Sequence, residues 1–162
     1  MKFTAREDIE APIEAVFAAM TDIAALELVA MRRGVQLRRL DALKALGPGM
    51  SWEVGFRYRG KTRQMVGKIA SLEAPERLVF EASAQGYEVT MSITLLALSR
   101  KRTRIEAEME VRPRSVSARL LLQSARLGRP ALQRRYADRI HLMALGLEER
   151  AARGIAQPAA GA

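Results

Sequence analysis

Two hydrophobic periods divide the chain. Residues 2–10 alternate, with Phe3, Ala5, Glu7 and Ile9 on one side and Lys2, Thr4, Arg6, Asp8 and Glu10 on the other. That period of two predicts a strand with one inward face. Pro12 suits the first position of a helix, where its missing N–H costs nothing. Ile13, Val16, Phe17 and Met20 then fall at helical spacing and predict a short helix over 12–20. Thr21-Asp22 stops that helix and caps a second one, from Ile23 to about Arg33, with Gly34 as its stop.

From Val35 the period returns to two for most of the following eighty residues. Val35–Asp41 reads as a strand, followed by a loop over Leu43–Gly49. Trp52, Val54, Phe56 and Tyr58 share a face, and Arg59-Gly60-Lys61-Thr62 reads as a hairpin turn. The return strand runs from about Thr62 to Leu72, with Met65, Gly67 and Ile69 on one side. Further strands carry Leu78, Phe80 and Ala82, then Tyr87 to Leu95, then Ile105, Ala107, Met109 and Val111. Glu73–Glu76, Gln85-Gly86 and Arg100–Arg102 are the turns between them. After Pro113, Ser115 to about Ala152 reads as a long helix with a seam at Leu121, Ala125, Leu132, Tyr136, Ile140, Met143 and Leu147. Gly128-Arg129-Pro130 should kink or break it. The predicted class is α+β: a curved six- to seven-stranded antiparallel sheet wrapped around a long C-terminal helix, with two short helices after the first strand. One domain should span residues 1–153, with a disordered tail over 154–162.

Composition removes several functions. With 162 residues, no Cys and a single His (His141), the chain has no disulfide framework, no thiol nucleophile and no three-His metal site. No metal and no cofactor is expected: neither a phosphate-cradling glycine loop nor a Ser-His-Asp set is visible. No apolar run approaches the ~20 residues of a membrane span, and MKFTAREDIE is unlike a signal peptide, so the expected location is the cytoplasm.

The net charge of +9 is local. Residues 1–99 hold 13 basic and 12 acidic side chains, whereas residues 100–162 hold 14 and 6. Arg119, Arg126, Arg129, Arg134 and Arg135 are the candidate anion-facing group. Compositional bias toward Arg and Ala and a working anionic partner both account for them. An anionic membrane suits Arg119 beside Leu120-Leu121-Leu122. Nucleic acid does not, because base stacking needs aromatics among the arginines and only Tyr136 is there.

The segment FTAREDIEAPIEAVFAAMTD, the segment GMSWEVGFRYRGKTRQMVGKIASLEAPERLVFEA and the closing LGLEERA resemble the START-like or Bet v 1-like (SRPBCC) superfamily, which includes polyketide cyclase/dehydrase-like members. The resemblance spans about residues 2–152 and implies a helix-grip fold with a hydrophobic cavity. Members bind lipids, sterols, polyketides or plant hormones, and some are cyclases, dehydratases or oxygenase subunits. The superfamily has no universal catalytic residue to carry over, and the Rieske-oxygenase branch needs His pairs that one His cannot supply.

The expected function is therefore binding of a small lipid-like or aromatic molecule between the sheet and the C-terminal helix. Docking of the Arg-rich stretch to an anionic membrane, or to the ligand's acidic head, would accompany it. Candidate lining residues are Phe17, Met20, Trp52, Phe56, Tyr58, Met65, Ile69, Phe80, Met91, Met109, Tyr136 and Met143. Met fills irregular space, and Trp and Tyr add a polar handle to an apolar face. A solid core built from the same residues is the competing reading. A cyclase or dehydratase-like enzyme is the alternative function, with Glu7 or a Tyr (Tyr58, Tyr87 or Tyr136) as acid or base, since a carboxylate among apolar neighbours shifts toward its neutral form. The ligand, any catalysis and the oligomeric state stay open at this level.

Overall fold

Turn and cap residues place the elements close to where the sequence marks them. The computed structural model describes residues 1–58 and 60–156. Strand β1 (Lys2–Ile9) is followed by helices α1 (Ile13–Met20) and α2 (Ile23–Arg32). The meander then runs through β2 (Gln36–Arg39), β3 (Ser51–Tyr58), β4 (Lys61–Glu73), β5 (Arg77–Ala84), β6 (Tyr87–Ser99) and β7 (Arg102–Pro113). Helix α3 (Val116–Ala125) passes through a 3-10 turn, Arg126–Gly128, into α4 (Arg129–Ala156). All seven strands form one antiparallel sheet in the order β1-β7-β6-β5-β4-β3-β2. Helices α1 and α2 thus carry the chain from one edge of the sheet to the other.

Local chemistry explains the boundaries. Asp22 caps α2 by accepting the Ala25 N–H at 3.1 Å, and Ser115 caps α3 by accepting the Ala118 N–H at 3.1 Å. Gln85 and Gly86 turn β5 into β6 with φ of 42° and 86°. A Cβ on Gly86 would overlap the Ser115 hydroxyl, so only glycine lets the start of α3 sit on this turn. The interruption expected near Pro130 is a tightening to 3-10 geometry, after which Pro130 sits in the first turn of α4, where it forfeits no helical hydrogen bond. Strand β2 is shorter than the predicted Val35–Asp41, because Asp41 leaves the ladder to accept the Ser51 and Leu43 N–H groups at 2.8 Å each. Helix α4 continues to Ala156, so Gly154–Ala156 are helical; the rest of the predicted 154–162 tail lies outside the described residues, as does Arg59 of the β3–β4 turn.

Helix α4 lies over the β1, β7 and β6 side of the sheet. Tyr136 and Ile140 pack on Phe3 and Ala107, with Met91, Met109 and Met143 around them. Ala144, Leu147 and Ala151 pack on Ile9, Ile93, Leu95, Ile105 and Val16. The helix also serves the free edge of β1: the Gln133 amide donates to the Thr4 carbonyl at 2.6 Å and accepts the Thr4 N–H at 3.4 Å, and Glu148 accepts the Glu10 N–H at 2.8 Å. Side chains standing in for a neighbouring strand in this way shield an edge from unwanted pairing. The predicted seam holds from Tyr136 through Leu147 but not in α3. There Leu121 is exposed and Ala118 is buried instead, because α3 rests on the Gly86 turn rather than on the sheet face.

Two buried polar groups in this half differ in how they are satisfied. The Thr103 hydroxyl, fully buried, donates to the Ala11 carbonyl at 2.8 Å and ties β7 to the β1–α1 corner. Thr103→Val should cost about 1–3 kcal/mol, because it leaves a buried carbonyl unpaired; urea denaturation reads this as a lower midpoint at unchanged slope. The Tyr136 hydroxyl is buried beside Phe3 and has no hydrogen-bond partner among the described residues. Burial, helped by the Glu108 carboxylate, pushes its pKa from 10.0 up to about 12. The folded-state value is the higher one, so this residue's stabilisation is complete below pH 10 and is lost as pH rises toward about 12. Tyr136→Phe should leave neutral-pH stability within about 1 kcal/mol of wild type and gain on it as pH rises above 10, measured as paired thermal midpoints.

Candidate ligand cavity

One face of α2 supplies the cover for the other half of the sheet. Ile23, Leu26, Glu27 and Ala30 recur at i, i+3, i+4 and i+7, the spacing of a single helix face, and all four line a half-open cavity of about 240 Å³. The remaining wall comes from Met20 and Thr21, from Leu37 on β2 and Leu46 in the β2–β3 loop, and from Trp52, Val54, Ile69, Leu78 and Phe80 on β3, β4 and β5. No residue of α2 is fully buried. The helix packs on the sheet through Ile23, which meets the buried cluster of Met50, Trp52 and Ile69.

Trp52 organises the wall. Its indole N–H donates to Glu27 Oε1 at 2.7 Å, tying β3 to α2. The Arg39 guanidinium lies 5.3 Å from its ring centroid, and the Phe80 ring is 6.4 Å away at 42°. Arg39 is held in place by Asp41, with Nε and Nη2 each 2.8 Å from a carboxylate oxygen. The Arg39 guanidinium, first, and the Ser51 and Leu43 N–H groups hold the Asp41 carboxyl well below the usual carboxylate range. Gly67 completes the site from β4. A Cβ there would overlap the far end of the Phe80 ring, so glycine is what allows that ring to lie flat against the strand.

The cavity is not where the sequence places it. It lies beneath α2 on the β2–β5 side, and α4 contributes nothing to its lining. Of the twelve candidates, Met20, Trp52, Ile69 and Phe80 line it. Tyr136, Met109, Met91 and Met143 instead fill the packing of α4 on the sheet, and Phe17 packs at the edge of that core. Phe56 and Met65 are half-buried farther along β3 and β4, and Tyr58 is 53% exposed at the hairpin end. The inward face of the sheet is longer than the cavity, and shared alternation does not say where along it the space falls. Glu7 is half-buried at the α4 side, 3.1 Å from Nδ1 of the exposed His141, and does not reach the cavity. Arg119, Arg126, Arg129, Arg134 and Arg135 are all exposed on α3, the 3-10 turn and α4. None lines the cavity, so they cannot meet an acidic head inside it; the charged side chain there is Glu27. The lining residues not foreseen from the sequence are those of α2, together with Thr21, Leu37, Leu46, Val54 and Leu78. The i, i+3, i+4, i+7 row of α2 is a legible signal for four of them.

No protein-family model matches this sequence, and no curated protein sequence does either. Solved structures do match along nearly its whole length. TTHA0849 from Thermus thermophilus is 16% identical, with 95% of this chain and 99% of that chain covered at a TM-score of 0.67. A point mutant of norcoclaurine synthase from Thalictrum flavum, in complex with a transition state analogue, is 8% identical, with 94% of each chain covered at a TM-score of 0.68. The Zhui aromatase/cyclase from Streptomyces sp. R1128 is 13% identical, with 100% and 99% covered at a TM-score of 0.65. At such identities the likeness concerns architecture: seven antiparallel strands, two short helices after the first of them and a long C-terminal helix. The chain has the helix-grip fold of START-like or Bet v 1-like proteins.

Proposed function

We propose that this chain binds a small, largely apolar ring compound in the cavity beneath α2. The observation that carries the reading is the cavity itself, about 240 Å³ and apolar except at Thr21 and Glu27. An apolar cavity of ~150 Å³ takes up benzene, and pockets for drug-sized molecules run from about 300 to 1,000 Å³. The size here favours a ligand of one or two fused rings. Support also comes from two proteins of similar structure, one an aromatase/cyclase and one a synthase in complex with a transition state analogue. The cyclase alternative loses its named acids, because Glu7 stands outside the cavity beside His141 and none of Tyr58, Tyr87 and Tyr136 lines it.

Trp52 is the single tryptophan and lines the cavity, so its emission reports occupancy. Titration with indane, excited where only Trp52 absorbs, should give a saturable change. A concentration of ~100 times Kd should stabilise the fold by about 2.7 kcal/mol. Ala30→Phe, which fills the space from α2, should weaken binding at least ~10-fold, or about 1.4 kcal/mol. Absence of any saturable response in the wild type defeats the reading.

A second surface favours docking to an anionic bilayer. Val116, Leu120 and Leu127 are exposed, Leu127 at 91%, and their separations of four and seven residues put them on one stripe. Arg119 and Arg126 flank it, both exposed and without an ion-pair partner among the described residues. Apolar side chains entering the headgroup region and arginines worth about 1 kcal/mol each near an anionic surface make a consistent pair. At low salt the protein should sediment with vesicles containing phosphatidylserine and stay in solution with phosphatidylcholine alone. Leu120→Asp with Leu127→Asp should abolish the difference, and equal sedimentation with both vesicles would dismiss it.

A further inference from the structure

Helix α2 carries apolar residues on both of its faces. The row that lines the cavity, Ile23, Leu26, Glu27 and Ala30, has a counterpart two residues on: Ala25, Leu28, Val29 and Arg32. Two residues are about 200° of turn on an α-helix, so this second row points away from the sheet. Leu28 and Val29 are exposed there, and Ala24 and Met31 are exposed beside them. A helix that covers a sheet ordinarily turns polar residues outward, and one that is apolar all round is covered on both sides. The single acid within α2, Glu27, stands in the inward row, half-buried and hydrogen-bonded to Trp52. Cations gather at the outward rim instead. Arg32 and Arg33 close the helix, and Lys44 stands on the β2–β3 loop, which meets the same cavity through Leu46. All three side chains are exposed and have no hydrogen-bond or ion-pair partner among the described residues. Leu43, on the same loop, is exposed as well. The pull of a helix C-terminus on cations accounts for Arg32 and Arg33, but it asks nothing of Leu28, Val29 and Met31.

We propose that the outward face of α2 is a second contact with an anionic bilayer, in which Leu28, Val29 and Met31 enter the headgroup region and Arg32, Arg33 and Lys44 meet the lipid anions around them. The inference rests on the bilayer reading made from α3 and deepens it, because it assigns a further element to the contact. A bilayer offers carbon beneath an anionic surface, the same order in depth as apolar side chains at the centre of a patch and cations at its edge. Charge and composition argue against the other occupants. A second copy of the chain seated on this face would bring two basic rims together. A nucleic acid would find no aromatic ring to stack on among the residues of the face. Docked this way, the chain turns the cover of its cavity toward the lipid. The far face of the sheet, where Thr90, Ser92 and Thr94 of β6 line a polar groove, then points away from it.

The chain has no Cys, so a single introduced thiol takes a single environment-sensitive fluorophore. Leu28→Cys reports on α2, and Ser92→Cys reports on the far face of the sheet. Each labelled chain is mixed at low salt with phosphatidylcholine vesicles containing phosphatidylserine, with and without a nitroxide on the acyl chains. The label at position 28 should shift to the blue and be quenched by the nitroxide, and the label at position 92 should do neither. In the unlabelled chain, Arg32→Gln with Arg33→Gln should weaken partition to these vesicles at least ~10-fold, each cation contributing about fivefold, with the circular dichroism of the free protein unchanged. A wild type that sediments with the anionic vesicles while the label at 28 stays unquenched overturns the inference and leaves the α3 docking standing. Equal quenching on phosphatidylcholine alone overturns it too. So does a label at 28 that shifts without vesicles as protein concentration rises, the mark of a second copy on α2. A wild type that sediments with neither vesicle overturns both readings. Met31→Cys repeats the measurement at a neighbouring exposed position, so the test stands even if Leu28→Cys does not fold.

Discussion

The packing of α4 against one side of the sheet is the constraint from which the rest of the structure follows. Seven strands at ~4.8 Å spacing lie across ~29 Å, whereas a helix with its side chains is ~10–12 Å wide. One helix therefore cannot cover the sheet. Here α4 is drawn to the β1 edge, where Gln133 and Glu148 satisfy backbone groups that no strand pairs. Tyr136, Ile140, Ala144, Leu147 and Ala151 then close an apolar core over β1, β7 and β6. The β2–β5 side needs another cover, and among the described residues α2 and the β2–β3 loop, through Leu46, supply it.

That cover is short, and its shortness creates the space. Helix α2 has ten residues, none fully buried, and its inward row consists of two large apolar side chains, one alanine and one carboxylate. Ala30 and Glu27 do not fill what lies beneath them. The opposite wall is rigid by comparison: Asp41 pins Arg39, Arg39 lies over Trp52, and the Phe80 ring lies on Gly67. A braced wall facing a short, half-buried helix leaves the space between them unfilled. The Glu27–Trp52 hydrogen bond is the single polar tie between lid and wall that the described residues show.

The sequence reads well where one face is buried and poorly where two elements must be related in space. Alternation along 2–10 and 105–111 outlines the β1–β7 pair, and Asp22, Ser115 and the Gln85-Gly86 turn each act as their chemistry suggests. The same alternation does not separate core from cavity. Met91 and Met109 face inward like Ile69 and Phe80 but meet α4, while the latter pair meets open space. That difference depends on where α4 lands, which is set by edge hydrogen bonds from Gln133 and Glu148 that no periodicity reveals. Glu7 misleads for a related reason. It does stand in an inward row, but the row ends at the rim of α4, where His141 receives it.

Charge resolves along the same division. The excess of basic residues over 100–162 lies on α3, α4 and their approaches, facing solvent, while the cavity wall carries one negative side chain. These two fields act over different ranges. Exposed arginines are screened beyond about 10 Å at 0.1 M salt, so they govern encounter with an extended anionic partner and have little say inside the fold. The Glu27 carboxylate, half-buried and hydrogen-bonded to the Trp52 N–H, acts only over the few ångströms around it. The net charge of the chain is therefore a property of its outer helical surface and is not carried into the pocket beneath α2.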